Sequence, residues 1–268
     1  MWSVNIGLAK IYKKVKPAVV AIASVEEVGS RVTILPFGSG FCVDPNGIIV
    51  TARHVVTEYY EKVLEAPLPH SHTEAIVPLP KPDFYVVFFR KSSDKYETIY
   101  PLVISYMFPF PGDHPEDDVA VLGIPKCPDY WGAGYPCLEL GDLSTVREGG
   151  EIAISGYPLR RGALPDLSKG IVSRIEEKLG ANNKWEITKL VLDIRINPGN
   201  SGSPVFETHS GSVLGLVSEE VVRDPDDMPS ELRGLFKIPT GIVYCIPSAL
   251  ISKAISAFKS HIHSRNAP

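Results

Sequence analysis

The apolar positions of the chain predict a helix near each end. One helical face is marked by the i, i+3, i+4, i+7 spacing of four residues: Leu8, Ile11, Tyr12 and Val15. Pro17 cannot continue that helix, because it lacks an N–H and its ring clashes with the preceding turn. Near the C-terminus, Ser248 is placed to cap a second helix. The apolar residues of this helix recur every four positions: Leu250, Ala254, Phe258 and Ile262.

Between these helices the apolar residues form short runs, separated by Gly, Pro, Asn or Asp. Five runs lie in the first half of the chain: 19–23, 41–43, 48–50, 85–89 and 119–124. Five more lie in the second half: 152–154, 171–172, 190–194, 213–217 and 242–246. The segments between these runs show little helical pattern, so the helical crossovers that a parallel sheet needs are missing. The pattern therefore predicts an all-β protein, a sandwich or a barrel.

Three segments interrupt the strand pattern. Residues 125–137 are rich in Pro and Gly and divide the two sets of runs, so we expect a linker there. A Pro-rich stretch over 61–83 and an initially charged one over 222–239 are predicted to be long loops. The Pro-rich loop has two interpretations, a lid or partner-binding loop and a solvent-exposed excursion. The small entropic cost of lengthening a surface loop favours the second.

The composition narrows the class of protein. The chain has 268 residues, 44% of them hydrophobic, which suits one large domain or two small ones with an ordinary core. Its 27 Lys and Arg against 31 Asp and Glu give a net charge of −4, which argues against nucleic-acid binding. The 22 Gly and 24 Pro suit many turns between short strands.

Targeting signals and zinc-site spacings are not recognised in the sequence. Because no run of about 18 apolar residues occurs, we predict no membrane span. The N-terminus lacks the basic start, apolar stretch and cleavage site of a signal peptide, so we expect a cytoplasmic protein with reduced thiols. The four cysteines form no CxxC pair, and we expect no structural zinc site.

The clearest chemical signature is Asn-Pro-Gly-Asn-Ser-Gly-Ser-Pro at residues 197–204. The glycines around Ser201 remove Cβ atoms and let the backbone approach a substrate closely. The N–H groups of Gly199 and Ser201 can then converge as an oxyanion hole, which stabilises a tetrahedral intermediate. Taken alone, the segment is equally compatible with a hairpin turn.

A serine nucleophile needs a base, and the base needs an acid that orients it. His54 follows the run 48–50, which places it at a strand end. Asp118 stands just before the run 119–124, where a carboxylate can be shielded from water. The order His, Asp, Ser is that of the chymotrypsin type and differs from α/β-hydrolases and subtilisins. Asp117 would face away from a strand that turns Asp118 inwards.

Together these segments resemble the HtrA/Deg family of trypsin-like serine proteases. The first block is Gly-Ser-Gly-Phe at 38–41, continued by Gly-Ile-Ile-Val-Thr at 47–51 and His-Val-Val at 54–56. The second is Asp-Val-Ala-Val-Leu at 118–122, and the third is Ile-Asn-Pro-Gly-Asn-Ser-Gly at 196–202. The resemblance implies two antiparallel six-stranded β-barrels with the catalytic residues in the cleft between them.

The implied organisation is one protease unit with five parts. They are an N-terminal helix (1–17), a first β-barrel (18–124), a linker (125–137), a second β-barrel (138–247) and a C-terminal helix with a tail (248–268). Because about twenty residues follow Ser248, we expect no C-terminal PDZ domain such as many members carry. Ser203 stands where the family usually has a second Gly, and its small size leads us to expect that activity survives.

The resemblance also implies the roles of the site residues. Ser201 is the nucleophile, His54 the general base and then acid, and Asp118 the residue that orients His54. Gly199 and Ser201 supply the oxyanion-hole N–H groups. The implied reaction is hydrolysis of protein or peptide substrates through an acyl-enzyme, without cofactor or metal. A catalytically dormant protease and a non-enzymatic peptide-binding module on the same fold stay open as alternatives.

The substrate pocket is predicted from five residues: Arg195, Ile196, Asn197, Val217 and Val243. Arg195 stands where the family usually has a small apolar residue, and a guanidinium at the pocket base would favour an acidic substrate side chain. In the other interpretation it faces solvent or pairs with Asp193 or Glu219–Glu220. Val243 stands where the family commonly has Gly, and its bulk would favour small side chains. The two ideas conflict and leave the cleaved sequence open.

A few other residues have two interpretations each. Cys127 and Cys137 either bridge across the linker or stay free, as expected in the cytoplasm. Trp2 and Tyr12 either help to form a homotrimer, as N-terminal aromatics do in related proteases, or pack within the chain. The histidine pairs at 70 and 72 and at 261 and 263 have a spacing that can hold a metal. Their place in a loop and at the chain end favours ordinary surface histidines.

Overall fold

The computed structural model describes residues 7–28, 31–57, 85–91, 97–104, 106–109, 117–127, 132, 134–158, 165–180, 183–223 and 238–265. The helices in these ranges are α1 (Leu8–Val15), α2, of which residues 53–57 are described, and α3 (Ser248–Arg265). Two 3₁₀ turns span Lys16–Ala18 and Leu143–Thr145.

Thirteen strands lie in the described ranges and form two antiparallel sheets. The first sheet contains β1 (Val19–Val28), β2 (Arg31–Asp44), β3 (Ile48–Thr51), β4 (Tyr85–Lys91), β5 (Glu97–Val103), β6 (Tyr106–Pro109) and β7 (Ala120–Gly123). The second contains β8 (Glu151–Gly156), β9 (Asp166–Leu179), β10 (Trp185–Asp193), β11 (Pro204–Glu207), β12 (Val213–Arg223) and β13 (Ile238–Pro247). The predicted all-β fold is confirmed.

The first sheet has the strand order β5-β4-β1-β2-β3-β7-β6. Its edge strands, β5 and β6, follow each other in the chain with only residues 104–105 between them. The sheet has seven strands where six were predicted, and within the described residues only the second sheet forms a closed barrel. We keep the name first barrel for the seven-stranded sheet.

The second sheet is a closed barrel of six strands, in the order β10-β13-β12-β11-β8-β9. Its core is filled by inward-facing aliphatic side chains, among them Leu192, Val205 and Val217. A separate, larger core occupies the first sheet and extends to both terminal helices.

All ten predicted runs fall in strands, whereas β5, β6 and β11 were not predicted. Two of them contain a proline, which in a sequence pattern argues against a strand. Proline is nevertheless accepted in an edge strand and at the first residue of a strand. Pro101 lies in the edge strand β5, and Pro204 is the first residue of β11. The Pro-rich stretch 61–83 and residues 224–237 lie outside the described ranges.

The N-terminal helix packs within its own chain, as the predicted apolar face requires. Ile11 and Val15 are buried against the turn at Gly211 of the second barrel. The Tyr12 hydroxyl donates to the Pro165 carbonyl oxygen at 3.1 Å. Tyr12 is thus used to join α1 to the second barrel, while Trp2 lies outside the described ranges.

The C-terminal helix buries Ile251, Ala254 and Phe258, and the Phe258 ring lies 6.2 Å from that of Phe108. The predicted capping role of Ser248 is wrong. Its hydroxyl donates to the Gly141 carbonyl oxygen at 2.9 Å instead of accepting from the first helical turn. The side chain therefore ties the helix start to the segment that enters the second barrel. Of the helices in the described ranges, none has the length and apolar character to cross a membrane.

The second half of the predicted linker packs on the first barrel. Tyr135 is buried, stacks on Phe88 with 5.4 Å between ring centroids, and donates from its backbone N–H to the Pro45 carbonyl oxygen at 3.0 Å. The four cysteines are free thiols, so Cys127 and Cys137 are not bridged. The domain boundaries stay a prediction.

Candidate active site

His54 and Asp118 are brought together by the pairing of β3 with β7. Thr51, the last residue of β3, lies opposite Ala120, the first residue of β7. His54 follows Thr51 in the helical turn α2, and Asp118 precedes Ala120, so both stand at the same end of this strand pair. His54 Nδ1 lies 2.7 Å from Asp118 Oδ2, and the His54 backbone N–H donates to Asp118 Oδ1 at 2.9 Å.

A residue that the sequence reading missed completes this arrangement. The Ser218 hydroxyl, from β12 of the second barrel, donates to Asp118 Oδ2 at 2.7 Å. Burial alone would raise the pKa of Asp118, but the hydrogen bonds and positive charge of His54, with the hydroxyl of Ser218, lower it below its ordinary value. Asp118 is therefore held as a carboxylate. A serine within a strand carries no local sequence signal for such a contact.

The segment around Ser201, which we call the nucleophile loop (residues 197–203), begins with a tight turn. The Asn200 N–H donates to the Asn197 carbonyl oxygen at 3.0 Å, and Gly199 has φ +98°. Pro at the second position and a positive φ at the third are the features of a type II turn. Among the described residues, the N–H groups of Gly199 and Ser201 have no acceptor, so both are available to a ligand.

The Ser201 hydroxyl donates to the Ser218 carbonyl oxygen at 3.2 Å. Ser218 thus contacts the nucleophile through its backbone and Asp118 through its side chain. The serine is half-buried, and the His54 side chain is 37% exposed, which leaves the histidine accessible from solvent.

The five predicted pocket residues differ in exposure. Arg195 is exposed. Ile196 and Asn197 are half-buried. The remaining two, Val217 and Val243, are fully buried in the core of the second barrel. Neither side chain has exposed surface through which it could contact a substrate, and their role as pocket residues stays a prediction.

Two buried polar atoms lie next to the nucleophile. Asn200 Oδ1 and Ser203 Oγ have no hydrogen-bond partner in the described part of the chain. Both surround Gly156, where a Cβ would overlap the Ser203 hydroxyl and stand 3.0 Å from Asn200 Oδ1. Ser203, which departs from the resembled motif, therefore fits only because residue 156 is glycine.

The site geometry can be compared with known proteins. A family model described as a trypsin-like peptidase domain matches residues 38–216, well over half of the chain. The chain belongs to the trypsin-like peptidase family. The match covers the segments that carry His54, Asp118 and Ser201, and the HtrA/Deg resemblance is confirmed by the relatives found.

Curated relatives of this trypsin-like peptidase come from plants and bacteria. It is 30% identical over 142 residues to "Protease Do-like 2, chloroplastic" of Arabidopsis thaliana, which covers 53% of this chain and 20% of that protein. It is 30% identical over 186 residues to a "Probable periplasmic serine endoprotease DegP-like" of Pseudomonas savastanoi pv. phaseolicola, covering 69% of this chain and 29% of that protein. The chain thus spans less than a third of the length of these relatives.

These relatives overturn the predicted cytoplasmic location, which is wrong. Their names place one in the chloroplast and the other in the periplasm. The prediction was based only on the first residues, in which no signal-peptide pattern was recognised.

Solved structures of low identity share the fold of this peptidase. "HtrA-type protease AlgW with decapeptide" matches with a TM-score of 0.57 and 20% identity, over 96% of this chain and 68% of that one. "Crystal structure of Deg5" matches with a TM-score of 0.56 and 22% identity, over 91% of this chain and 90% of that one.

Gly202 is expected to tolerate no side chain, because its φ is +83° and a Cβ there would overlap the Ser39 carbonyl oxygen. Gly149 has a similar φ of +78° but open space around it, which makes it a matched control. We expect Gly149→Ala to lower the free energy of unfolding by about 1–2 kcal/mol through backbone strain. Gly202→Ala should add at least about 1–3 kcal/mol for overpacking. Urea unfolding measures both, and equal losses would contradict the close approach.

Proposed function

We propose that this trypsin-like peptidase is a serine endopeptidase that hydrolyses protein or peptide bonds through an acyl-enzyme. The observation that carries the proposal is the short contact of His54 Nδ1 with a buried carboxylate, which itself accepts from Ser218. Such a contact fixes a histidine as the neutral base that a serine hydroxyl requires. The names of the bacterial relatives, which include "serine endoprotease", support the same reaction class.

The first half of the reaction acylates Ser201. Its Oγ attacks the carbonyl carbon of the scissile bond while the hydroxyl proton passes to His54 Nε2. The carbonyl oxygen becomes an oxyanion, which the N–H groups of Gly199 and Ser201 stabilise. When the intermediate collapses, the C–N bond breaks and the leaving amine takes the proton from His54. The product is an ester at Ser201 and a free amine.

The second half of the reaction hydrolyses the acyl-enzyme and regenerates the free enzyme. Water attacks the ester carbonyl and gives one proton to His54 Nε2, and the same oxyanion-hole groups stabilise the second tetrahedral intermediate. Collapse breaks the C–O bond, and the proton returns to Ser201 Oγ. The carboxylic acid product leaves, so that the sum of the two halves is hydrolysis of one amide bond.

Asp118 orients the base in both halves. As an ionised carboxylate it accepts a hydrogen bond from Nδ1–H of His54, which leaves Nε2 unprotonated as the base proposed for Ser201. It also stabilises the imidazolium that forms when Nε2 takes a proton. Because its pKa is held below the ordinary value, Asp118 performs this role throughout the range in which histidine titrates.

The substrate class and setting are proposed from the relatives. Endoproteases act on protein chains, so we propose protein or peptide substrates, and a location outside the cytoplasm follows from the periplasmic and chloroplastic relatives. A homo-oligomer stays a prediction, since Trp2 lies outside the described ranges and Tyr12 packs within the chain.

A second candidate is a resting or dormant form of the same enzyme. The Ser201 hydroxyl has one proton and donates it to the Ser218 carbonyl oxygen. Before attack, a rotation of the hydroxyl must redirect that proton to His54. A ligand or an oligomer that favours this rotation would act as an activator.

The test of the proposed function is labelling of the folded protein by a fluorophosphonate probe, followed by peptide mapping. We expect covalent labelling at Ser201 and cleavage of fluorescein-labelled casein, because both need an activated serine. Ser201→Ala should lose both while unfolding at the same temperature. A folded wild-type protein that neither labels nor cleaves casein would refute the proposed activity, whereas labelling without cleavage would favour a dormant form or a peptide-binding module.

The role of Asp118 predicts a specific pH dependence. Asp118→Asn should lower kcat by about 10⁴-fold, because an amide can donate to Nδ1 and favour the wrong tautomer. In the wild type, kcat/KM should fall below neutral pH as imidazole is protonated.

The lowered pKa of Asp118 also stabilises the folded protein. This stability is present above the pKa of an unfolded aspartate and is lost as pH falls through the folded value.

The matched control is the neighbouring residue. Asp117→Asn removes a carboxylate one position away and should leave kcat within about threefold of wild type. Urea unfolding between about pH 2 and 5 should show a smaller pH dependence for Asp118→Asn than for the wild type. Equal effects of the two substitutions on kcat would contradict the assignment of Asp118.

A further inference from the structure

Ser39, in β2 of the first barrel, contacts the nucleophile loop of the second. It is fully buried, and its backbone is held opposite Ala21 in the β1–β2 ladder. Its N–H donates to the Ser201 carbonyl oxygen at 2.8 Å, and its hydroxyl donates to the Gly199 carbonyl oxygen at 2.7 Å. One rigid residue therefore holds the carbonyl groups of both residues whose N–H groups would form the oxyanion hole.

The direction of the Ser39 hydroxyl is set by a second partner. The Tyr157 backbone N–H donates to Ser39 Oγ at 2.8 Å. A hydroxyl has one proton and two lone pairs, so acceptance from Tyr157 leaves its own proton for Gly199. Both partners are buried backbone groups, which would be costly to leave unpaired.

Ser39 also links this loop to the segment of the base. The Thr51 hydroxyl donates to the Ser39 carbonyl oxygen at 2.7 Å, and Thr51 ends β3 three residues before His54. The backbone of Ser39 thus lies between the segment that carries the base and the loop that carries the nucleophile.

The hydrogen bond from Ser39 to Gly199 restrains one peptide group of the tight turn. The Gly199 carbonyl and the Asn200 N–H belong to the same peptide group. The carbonyl accepts from Ser39, and the N–H donates to the Asn197 carbonyl oxygen at 3.0 Å. Glycine rotates about its backbone bonds more freely than other residues. Two anchors on this plane therefore restrict the orientation of the Gly199 N–H on its other side.

We propose that Ser39 is a positioning residue whose hydroxyl holds Gly199 in the conformation that presents its N–H to the oxyanion. The inference rests on the proposed function, because the oxyanion exists only in the transition state and the intermediates. Ser39 touches no substrate. Its loss should therefore slow the chemical step and leave substrate binding nearly unchanged.

The experiment compares Ser39→Ala and Ser39→Cys with Ser155→Ala. Cysteine has the shape of serine with a somewhat larger sulfur that hydrogen-bonds only weakly, so it provides a second variant if the alanine variant does not fold. Ser155 is an equally buried serine whose hydroxyl donates to Tyr12 Oη at 3.3 Å, outside the nucleophile loop. The measurements are kcat and KM on fluorescein-labelled casein, the rate of fluorophosphonate labelling, and the unfolding temperature.

We expect both Ser39 variants to lower kcat and the labelling rate by about 10–100-fold, a part of what losing an oxyanion donor costs. KM should change by less than about threefold. Ser155→Ala should keep both rates within about threefold of wild type, even if its unfolding temperature falls as far as that of the Ser39 variants.

The outcomes separate this inference from the proposed function. A wild-type protein that neither labels nor cleaves casein overturns both. A wild-type protein that labels at Ser201, with Ser39 variants that label and turn over at the wild-type rate, overturns this inference alone. A loss that appears only in KM, or equally in Ser155→Ala, also overturns it, because a purely structural role gives that result.

Discussion

The rest of the site depends on the hydrogen bonds that satisfy one largely buried carboxylate, that of Asp118. The Asp118 side chain is only 14% exposed and accepts from the His54 N–H, from His54 Nδ1 and from the Ser218 hydroxyl. An ionised carboxylate left unpaired at such a depth would be strongly destabilising. Because His54 comes from the first barrel and Ser218 from the second, the carboxylate is fully satisfied only when the two barrels are packed together.

The same requirement shapes the backbone around the site. Where the nucleophile loop meets the first barrel, glycines permit contacts that a Cβ would block. A Cβ at Gly202 would overlap the Ser39 carbonyl oxygen, and one at Gly38 would stand 2.6 Å from a Val55 methyl group and 3.2 Å from the Ser201 carbonyl oxygen. Close approach lets Ser39 bond the loop directly. Asp118 and Ser39 therefore both form hydrogen bonds across the interface between the two barrels. Asp118 positions the base, and Ser39 contacts the nucleophile loop.

The parts of the site that could be predicted from sequence are those with a local signal. His54 and Ser201 stand in recognisable motifs, and Asp118 precedes an apolar run. The roles of Ser218 and of Ser39, which stands in the resembled block at 38–41, could not be predicted in this way. Their contacts reach across 100 residues to Asp118 and 160 residues to Gly199. A serine inside a strand looks the same whether its hydroxyl meets solvent or a carboxylate. Only the packing of the two sheets decides.

The fold shows the same division. Short apolar runs and turn residues located ten strands, whereas the prolines of β5 and β11 concealed two others. Ser248 was expected to cap α3, but the nearby Gly141 carbonyl takes its hydroxyl. Local capping rules cannot anticipate a competing acceptor that lies 107 residues away.

In the proposed mechanism Asp118 accepts the Nδ1 proton of His54, so that Nε2 is unprotonated and can take the proton of Ser201. Nitrogen-15 NMR of the histidine side chains above neutral pH measures this directly, with His54 assigned by its absence in His54→Gln. We expect a neutral imidazole protonated at Nδ1 in the wild type, and a shift of the tautomer in Asp118→Asn. A wild-type His54 that carries its proton on Nε2 would contradict the proposed role of Asp118.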